Sequence, residues 1–212
     1  MVIIGAGGFA KEVLEVCKNI NMLGNLVFYD DTPGNKIDFV YNRFPVLTSI
    51  KKAEMYFDEI ERFFTIGIGN PTLREMMYNK FVDIRGVPFS TISSKADIGS
   101  FEVSIGDCAN ILDGAKISNS VSIGKAVLIY YNSIITHDCV IGDFVEISPN
   151  ATILGRSKIG DFTHIGANAT ILPDVIIGKN VKVGAGAVVI DNVADNCTVA
   201  GVPAKVIKQI FI

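Results

Sequence analysis

From Ile105 to Val189 every sixth residue is Ile or Val: Ile105, Ile111, Ile117, Ile123, Ile129, Ile135, Ile141, Ile147, Ile153, Ile159, Ile165, Ile171, Ile177, Val183 and Val189. Side chains repeat every 3.6 residues along a helix and every 2 along a strand, so neither element alone produces this period. Small or modest side chains stand two positions earlier, among them Ala109, Ala115, Ser133, Cys139, Ala151, Ser157, Ala169 and Ala187. A second period lies over the first, because Gly106, Gly124, Gly142, Gly160 and Gly178 recur every 18 residues, three hexads apart. One coil is therefore three six-residue faces. The pattern predicts a parallel β-helix of triangular section, with Ile and Val filling the core, small residues in the corners and glycine supplying unusual backbone angles once per coil. Coils stacked about 4.8 Å apart, the interstrand spacing, make five complete coils plus flanks a rod of roughly 25 Å, capped by the chain after Val189.

The first 88 residues follow other rules. The opening "MVIIGAGGFAKEVLEVC" reads as a buried strand, a turn at Gly5, Gly7 and Gly8, and a helix with Val13, Leu14 and Cys17 at helical spacing. "NLVFYDD" is a second strand ending in Asp30 and Asp31, and "FFTIGIGN" a third ending at Gly69 and Asn70, after which Pro71 opens a helix running to about Lys80. These elements predict a small Rossmann-like α/β domain over 1–88. A Ser-rich connection from Pro88 to Ala96 then leads to the β-helix domain of 89–212. The GxGxxA turn followed by acidic residues suits a dinucleotide, but fewer than 90 residues supply one mononucleotide half, and a glycine turn opening a helix binds phosphates of many kinds.

Composition removes several classes. With 19 Lys and Arg against 22 Asp and Glu, a net charge of −3 and no basic cluster, nucleic acid is not an expected partner. No apolar stretch approaches the ~20 residues of a membrane span and no signal segment is visible, so neither membrane nor export is expected. Cys17, Cys108, Cys139 and Cys197 lack the spacing of a disulfide framework or zinc site, which fits a reducing cytoplasm. His137 and His164 are the only histidines, too few for a three-imidazole zinc centre, so no metal is expected.

The hexad segment resembles the hexapeptide-repeat acyltransferases, which form left-handed parallel β-helices. The handedness comes from this resemblance and departs from the usual right-handed crossover. The closing "VAGVPAKV" from Val199 resembles that family's end cap. Taken with "GAGGFAKEV", "YDD", "IGIGNPTLR" and "THDCVIGDFVEISPNATILG", the whole chain is similar to one subgroup: the sialic acid O-acetyltransferases and the N-acetyltransferases of nucleotide-linked amino sugars. The resemblance implies a homotrimer that takes acetyl-CoA and a nucleotide sugar and requires no metal.

Acetyl transfer from a thioester needs a base matched to neutral pH, and imidazole supplies one. His137, two positions after Ile135, lies on a coil exterior, and the resemblance puts the catalytic base there, with Asp138 orienting it. The other reading of His137 is a surface contact between subunits. Gly155, one coil above His137, is a candidate oxyanion donor and coenzyme contact, or simply a turn glycine. The resemblance assigns further coenzyme contacts to Ala167, Gly184, Ala185 and Gly186, with Lys205 near a phosphate; steric fit in the corners explains the small residues equally well. It assigns the nucleotide's diphosphate to Gly7 and Gly8, and its base and ribose to Asp30, Asp31 and the Gly69–Asn70 turn. Turn formation, solvated strand ends and helix capping are the alternatives. Two positions depart from the family pattern: Phe9 stands where relatives often carry His, and Glu146 stands in place of a second active-site His. Coil arithmetic puts Glu146, His164 and Lys182 in one outer column, either a solvated charge column or, facing the His137 of a neighbouring subunit, a substitute for that missing His. The resulting expectation is acetyl transfer to a nucleotide-linked amino sugar. O-acetylation of a sugar acid or small hydroxyl compound, or a non-catalytic nucleotide-binding scaffold, are the alternatives.

Overall fold

The computed structural model describes residues 1–34 and 37–209, so the end of the second predicted segment, 210–212, lies outside the described residues. The N-terminal part runs β1 (Val2–Ile4), α1 (Gly8–Asn19), β2 (Val27–Tyr29), β3 (Phe39–Val40), β4 (Phe44–Leu47), α2 (Ile50–Glu59), β5 (Phe63–Ile66), α3 (Pro71–Asp83) and β6 (Val87–Pro88). Its sheet has the order β3-β4-β2-β1-β5-β6, parallel except for the β3–β4 pair. Successive connections leave β1 first toward β2 and β4 and then toward β5 and β6. The carboxyl ends of β1 and β5 therefore flank a topological switch point, where open α/β sheets bind ligands. The sheet thus extends past the single mononucleotide half expected from its length.

Local sequence explains the crevice. Val2, Ile3 and Ile4 are fully buried, and α1 presses Ala10, Val13, Leu14 and Cys17 onto the sheet at helical spacing. Gly5 takes a φ of +97°, open to glycine and strained for other residues. A Cβ at Gly67 would lie 2.6 Å from the Ala10 Cα, so the end of β5 and the start of α1 meet only because Gly67 lacks one.

The second part is a left-handed parallel β-helix of two-residue strands on three faces. The first face carries Thr91–Ile92, Asn110–Ile111, Leu128–Ile129, Glu146–Ile147, His164–Ile165 and Lys182–Val183. The second carries Asp97–Ile98, Lys116–Ile117, Ile134–Ile135, Thr152–Ile153, Thr170–Ile171 and Val188–Val189, and the third runs from Ser104–Ile105 to Ile176–Ile177. Pairing is parallel at an 18-residue register, as in Ile129 against Ile147 and Ile147 against Ile165. The hexad Ile and Val residues from Ile111 onward are buried in one core, with Ala115, Ala151, Ala169 and Ala187 beside them.

Two expectations need correction. The 18-residue glycines do not supply unusual angles; the positive φ values fall two positions later, on residues such as Ala126, Phe144, Phe162 and Asn180. The glycines are required by close approach instead: a Cβ on Gly106 or Gly160 would lie 2.6 Å from the backbone of the coil above, and one on Gly142 would strike Asp161. Nor is Pro88–Ala96 a connection. Val87–Pro88 closes the first sheet, and Thr91–Ile92 already pairs with Asn110–Ile111. That register is 19 residues, and the step from Ile98 to Ile105 is seven, so the six-residue pattern does not extend to this coil. At the other end Cys197–Gly201 pairs with Lys182–Val183 and folds back antiparallel on Ala204–Gln209, capping the rod.

The two parts share a core. Cys108, Ala126 and Phe144, stacked at the corner between the third and first faces, pack with Phe64, Met77 and Phe81 of β5 and α3. Buried Asn110 donates to the Ile66 carbonyl and accepts from Thr65, and Phe9 packs on Tyr130 at 5.0 Å.

Candidate active site

A cavity of about 380 Å³ occupies the switch point, lined by the Gly5–Phe9 turn, Tyr29–Thr32, Gly67–Gly69, and Leu73, Met76, Met77 and Lys80 of α3. It brings together Gly7, Gly8, Asp30, Asp31 and Gly69. Gly7 caps α1 without a side-chain bond, so the first N–H groups of a 12-residue helix begin at the cavity, the arrangement that suits an anion. Asn70 is not in the lining; its Oδ1 caps α3 by accepting the Leu73 N–H at 2.9 Å. Asp30 Oδ1 accepts the Thr32 N–H at 3.0 Å, while Asp31 Oδ2 accepts Lys80 Nζ and the Tyr29 hydroxyl, both at 2.7 Å. Burial pushes the Asp31 carboxyl up, but these two donors outweigh it and hold it below the usual 3.8. Lys80, which the sequence marks only as the end of a helix, thus brings a cation to the wall.

Behind the Gly69 rim stands the first face of the coil. A side chain begun at Gly69 would lie 3.8 Å from Glu146 Oε2. Glu146, His164 and Lys182 are direct register partners, so the column exists. His164 Nε2 lies 2.8 Å from Ser148 Oγ and 3.5 Å from Glu146 Oε1, and the Glu146 side chain is only 17% exposed.

His137 occupies the turn from the second to the third face, with 54% of its side chain exposed. Asp138 follows at φ +59°, a left-handed conformation that Asn and Asp enter more readily than most residues, and its Oδ2 lies 2.6 Å from His137 Nδ1. An ionised carboxylate only accepts, so Nδ1 carries the proton toward Asp138 and Nε2 presents its lone pair. Gly155 is directly above: a Cβ there would meet the imidazole Cε1 at 2.6 Å and Nε2 at 2.8 Å. The space that glycine leaves is filled by the ring.

The small residues expected around coenzyme lie elsewhere. Ala167, Gly184, Ala185 and Gly186 are at the turn from the first to the second face, where Gly186 N–H donates to the Ala167 carbonyl at 2.8 Å and Gly184 N–H to that of Val199 at 2.8 Å. Those main-chain groups serve the coil. Lys205 is exposed on the terminal hairpin, opposite Ala200. One chain therefore sets its His137 corner and its Ala167–Gly186 corner on opposite edges of the second face.

Residues 1–81 match the PglD N-terminal domain, and residues 120–155 and 156–191 match the six-repeat bacterial transferase hexapeptide family. The chain joins a PglD-like N-terminal domain to hexapeptide repeats. No curated protein matches it. Among solved structures it is similar to the acetyltransferase domain of PglB from Neisseria gonorrhoeae, solved also in complex with acetyl coenzyme A; the first of these matches at 27% identity over 97% of this chain and 98% of that one, TM-score 0.87. It is similar also to PerB from Caulobacter crescentus in complex with CoA and GDP-perosamine, at 26% identity over 98% and 96%, TM-score 0.90. WeeI from Acinetobacter baumannii matches at 29% identity over 97% and 98%, TM-score 0.74.

Proposed function

We propose that this chain transfers the acetyl group of acetyl-CoA to the amino group of a nucleotide-linked sugar by direct attack. The observation that carries the reading is the His137–Asp138 pair: with Nδ1 engaged at 2.6 Å, the exposed ring has one nitrogen left to accept a proton. The neutral amine attacks the thioester carbonyl and gives its proton to His137 Nε2. The carbon–sulfur bond breaks, and coenzyme A leaves as the thiolate. Cysteine offers no acyl carrier, since all four are buried and burial pushes Cys17 and Cys108 up to about 12 and raises Cys139. Acetyl-CoA complexes of the PglB domain and the GDP-perosamine complex of PerB support the substrate pair.

In this reading the diphosphate meets the Gly7–Gly8 turn and the start of α1, with base and ribose toward Asp30 and Asp31. The sugar passes Gly69 to Glu146 and His164 of the same chain. The catalytic imidazole is the partner's His137, and acetyl-CoA runs along the Ala167–Gly186 corner with Lys205 toward its phosphates. Opposite corners of one chain require more than one copy, and a closed homotrimer satisfies that. The test is thiol release from acetyl-CoA against a panel of nucleotide sugars bearing an amine or a hydroxyl. Release with the amines supports the proposal; release only with hydroxyl acceptors turns it into O-acetylation, and none with either leaves a nucleotide-binding scaffold.

A further inference from the structure

Arg74 lies on the stripe of α3 that faces the coil, its side chain fully buried. Its five N–H groups match five carbonyls. Nε donates to Ala126 at 2.8 Å; Nη1 to Ile68 at 3.2 Å and Gly69 at 2.6 Å; Nη2 to Phe144 at 2.5 Å and Val145 at 3.3 Å. Two of these acceptors belong to the cavity rim and three to two adjacent coils, the last of them immediately before Glu146.

Burial is the main influence on this guanidinium and pulls it down to about 10, while the charge of Glu146 is the largest opposing influence. A buried charge is costly to desolvate, and an apolar side chain of similar volume often serves stability as well or better. What an apolar residue, or the three-donor point charge of lysine, cannot do is hold two separate backbone segments in one plane. The rim needs such a hold, because Ile68 and Gly69 follow the last residue of β5 and precede the first of α3.

We infer that Arg74 is a positioning residue for the acceptor nucleotide sugar: it fixes the Ile68–Gly69 rim to the coil that carries Glu146, so that the cavity and the Glu146–His164 column form one continuous binding surface. The inference rests on the proposed nucleotide-sugar reading. Arg74 touches no reacting atom.

The experiment compares Arg74→Lys with Asn110→Ala, which removes two other buried bonds between the two parts, to Thr65 and Ile66, and none to Ile68 or Gly69. Calorimetry with UDP and with GDP reads cavity affinity, amide hydrogen exchange over 67–70 reads the rim without ligand, and KM for acetyl-CoA reads the distant corner. Arg74→Lys is expected to weaken the better-binding nucleotide by about tenfold or more, as unsatisfied buried carbonyls loosen the rim, and to speed exchange there. KM for acetyl-CoA should stay within about twofold, since no Arg74 contact reaches that corner. Asn110→Ala should lower thermal stability and leave nucleotide affinity unchanged. Equal behaviour of the two variants would overturn the inference and leave Arg74 as an ordinary interface contact. Wild-type protein that binds neither nucleotide would overturn the cavity reading itself, visible before any variant is made, and the inference with it.

Discussion

The imidazole of His137 rests on the Cα of Gly155, one coil above, in the place a side chain would otherwise fill. Glycine at 155 is therefore a condition for where the proposed base stands.

Gly155→Ala should consequently behave as a base-displacement variant. Its new methyl would start 2.6 Å from the ring, and the exposed His137 side chain is freer to swing away than the coil is to open. We expect kcat to fall roughly 10² to 10⁴, the range for loss of a general base, with a normal circular dichroism spectrum. Unchanged kcat would separate the glycine from the chemistry.

Much of this arrangement is written in the chain, but unevenly. The Ile and Val hexads specify the coil because each must fill the same narrow prism, and coil arithmetic then stacks His137 under Gly155 and Glu146 under His164. The Gly5–Gly8 turn is equally readable, whereas Asp138 enters only through the family resemblance. Arg74 is not legible as a buried residue because a guanidinium ordinarily faces solvent, although it stands three and seven residues before the buried Met77 and Phe81, on the apolar stripe of its own helix. Lys80 is not legible for a different reason: its partner Asp31 is 49 residues away, and only the strand order brings them together. Close approach between coils and a left-handed turn both select glycine, so the 18-residue repeat alone does not tell the two roles apart.

The Glu146–His164 pair should act on the acceptor sugar. Glu146→Gln and His164→Asn are each expected to lower kcat/KM for the nucleotide sugar about tenfold, mainly through KM, as loss of uniform binding does. KM for acetyl-CoA and the assembly measured by light scattering should not change. Wild-type kinetics in both variants would leave a solvated charge column.

Asp31 gives the cavity a pH signature. Its carboxyl is lowered in the folded protein, so its contribution to stability is fully present above the unfolded value of 3.8 and is lost as pH falls through the lower folded value. Asp31→Asn should therefore lower the melting temperature at pH 6, and the gap from wild type should close as pH drops below 3.8. A gap independent of pH across that range would mean that the Lys80 and Tyr29 contacts do not depend on the charge.

The account depends most on His137. The decisive measurement is single-turnover acetyl transfer to an amino-sugar nucleotide by wild type and His137→Ala, with acetyl-CoA binding measured on the same samples by calorimetry. The chemical step is predicted to slow by roughly 10² to 10⁴ while the dissociation constant for acetyl-CoA stays within about twofold. Transfer by His137→Ala at the wild-type rate, with coenzyme bound normally, would contradict the account.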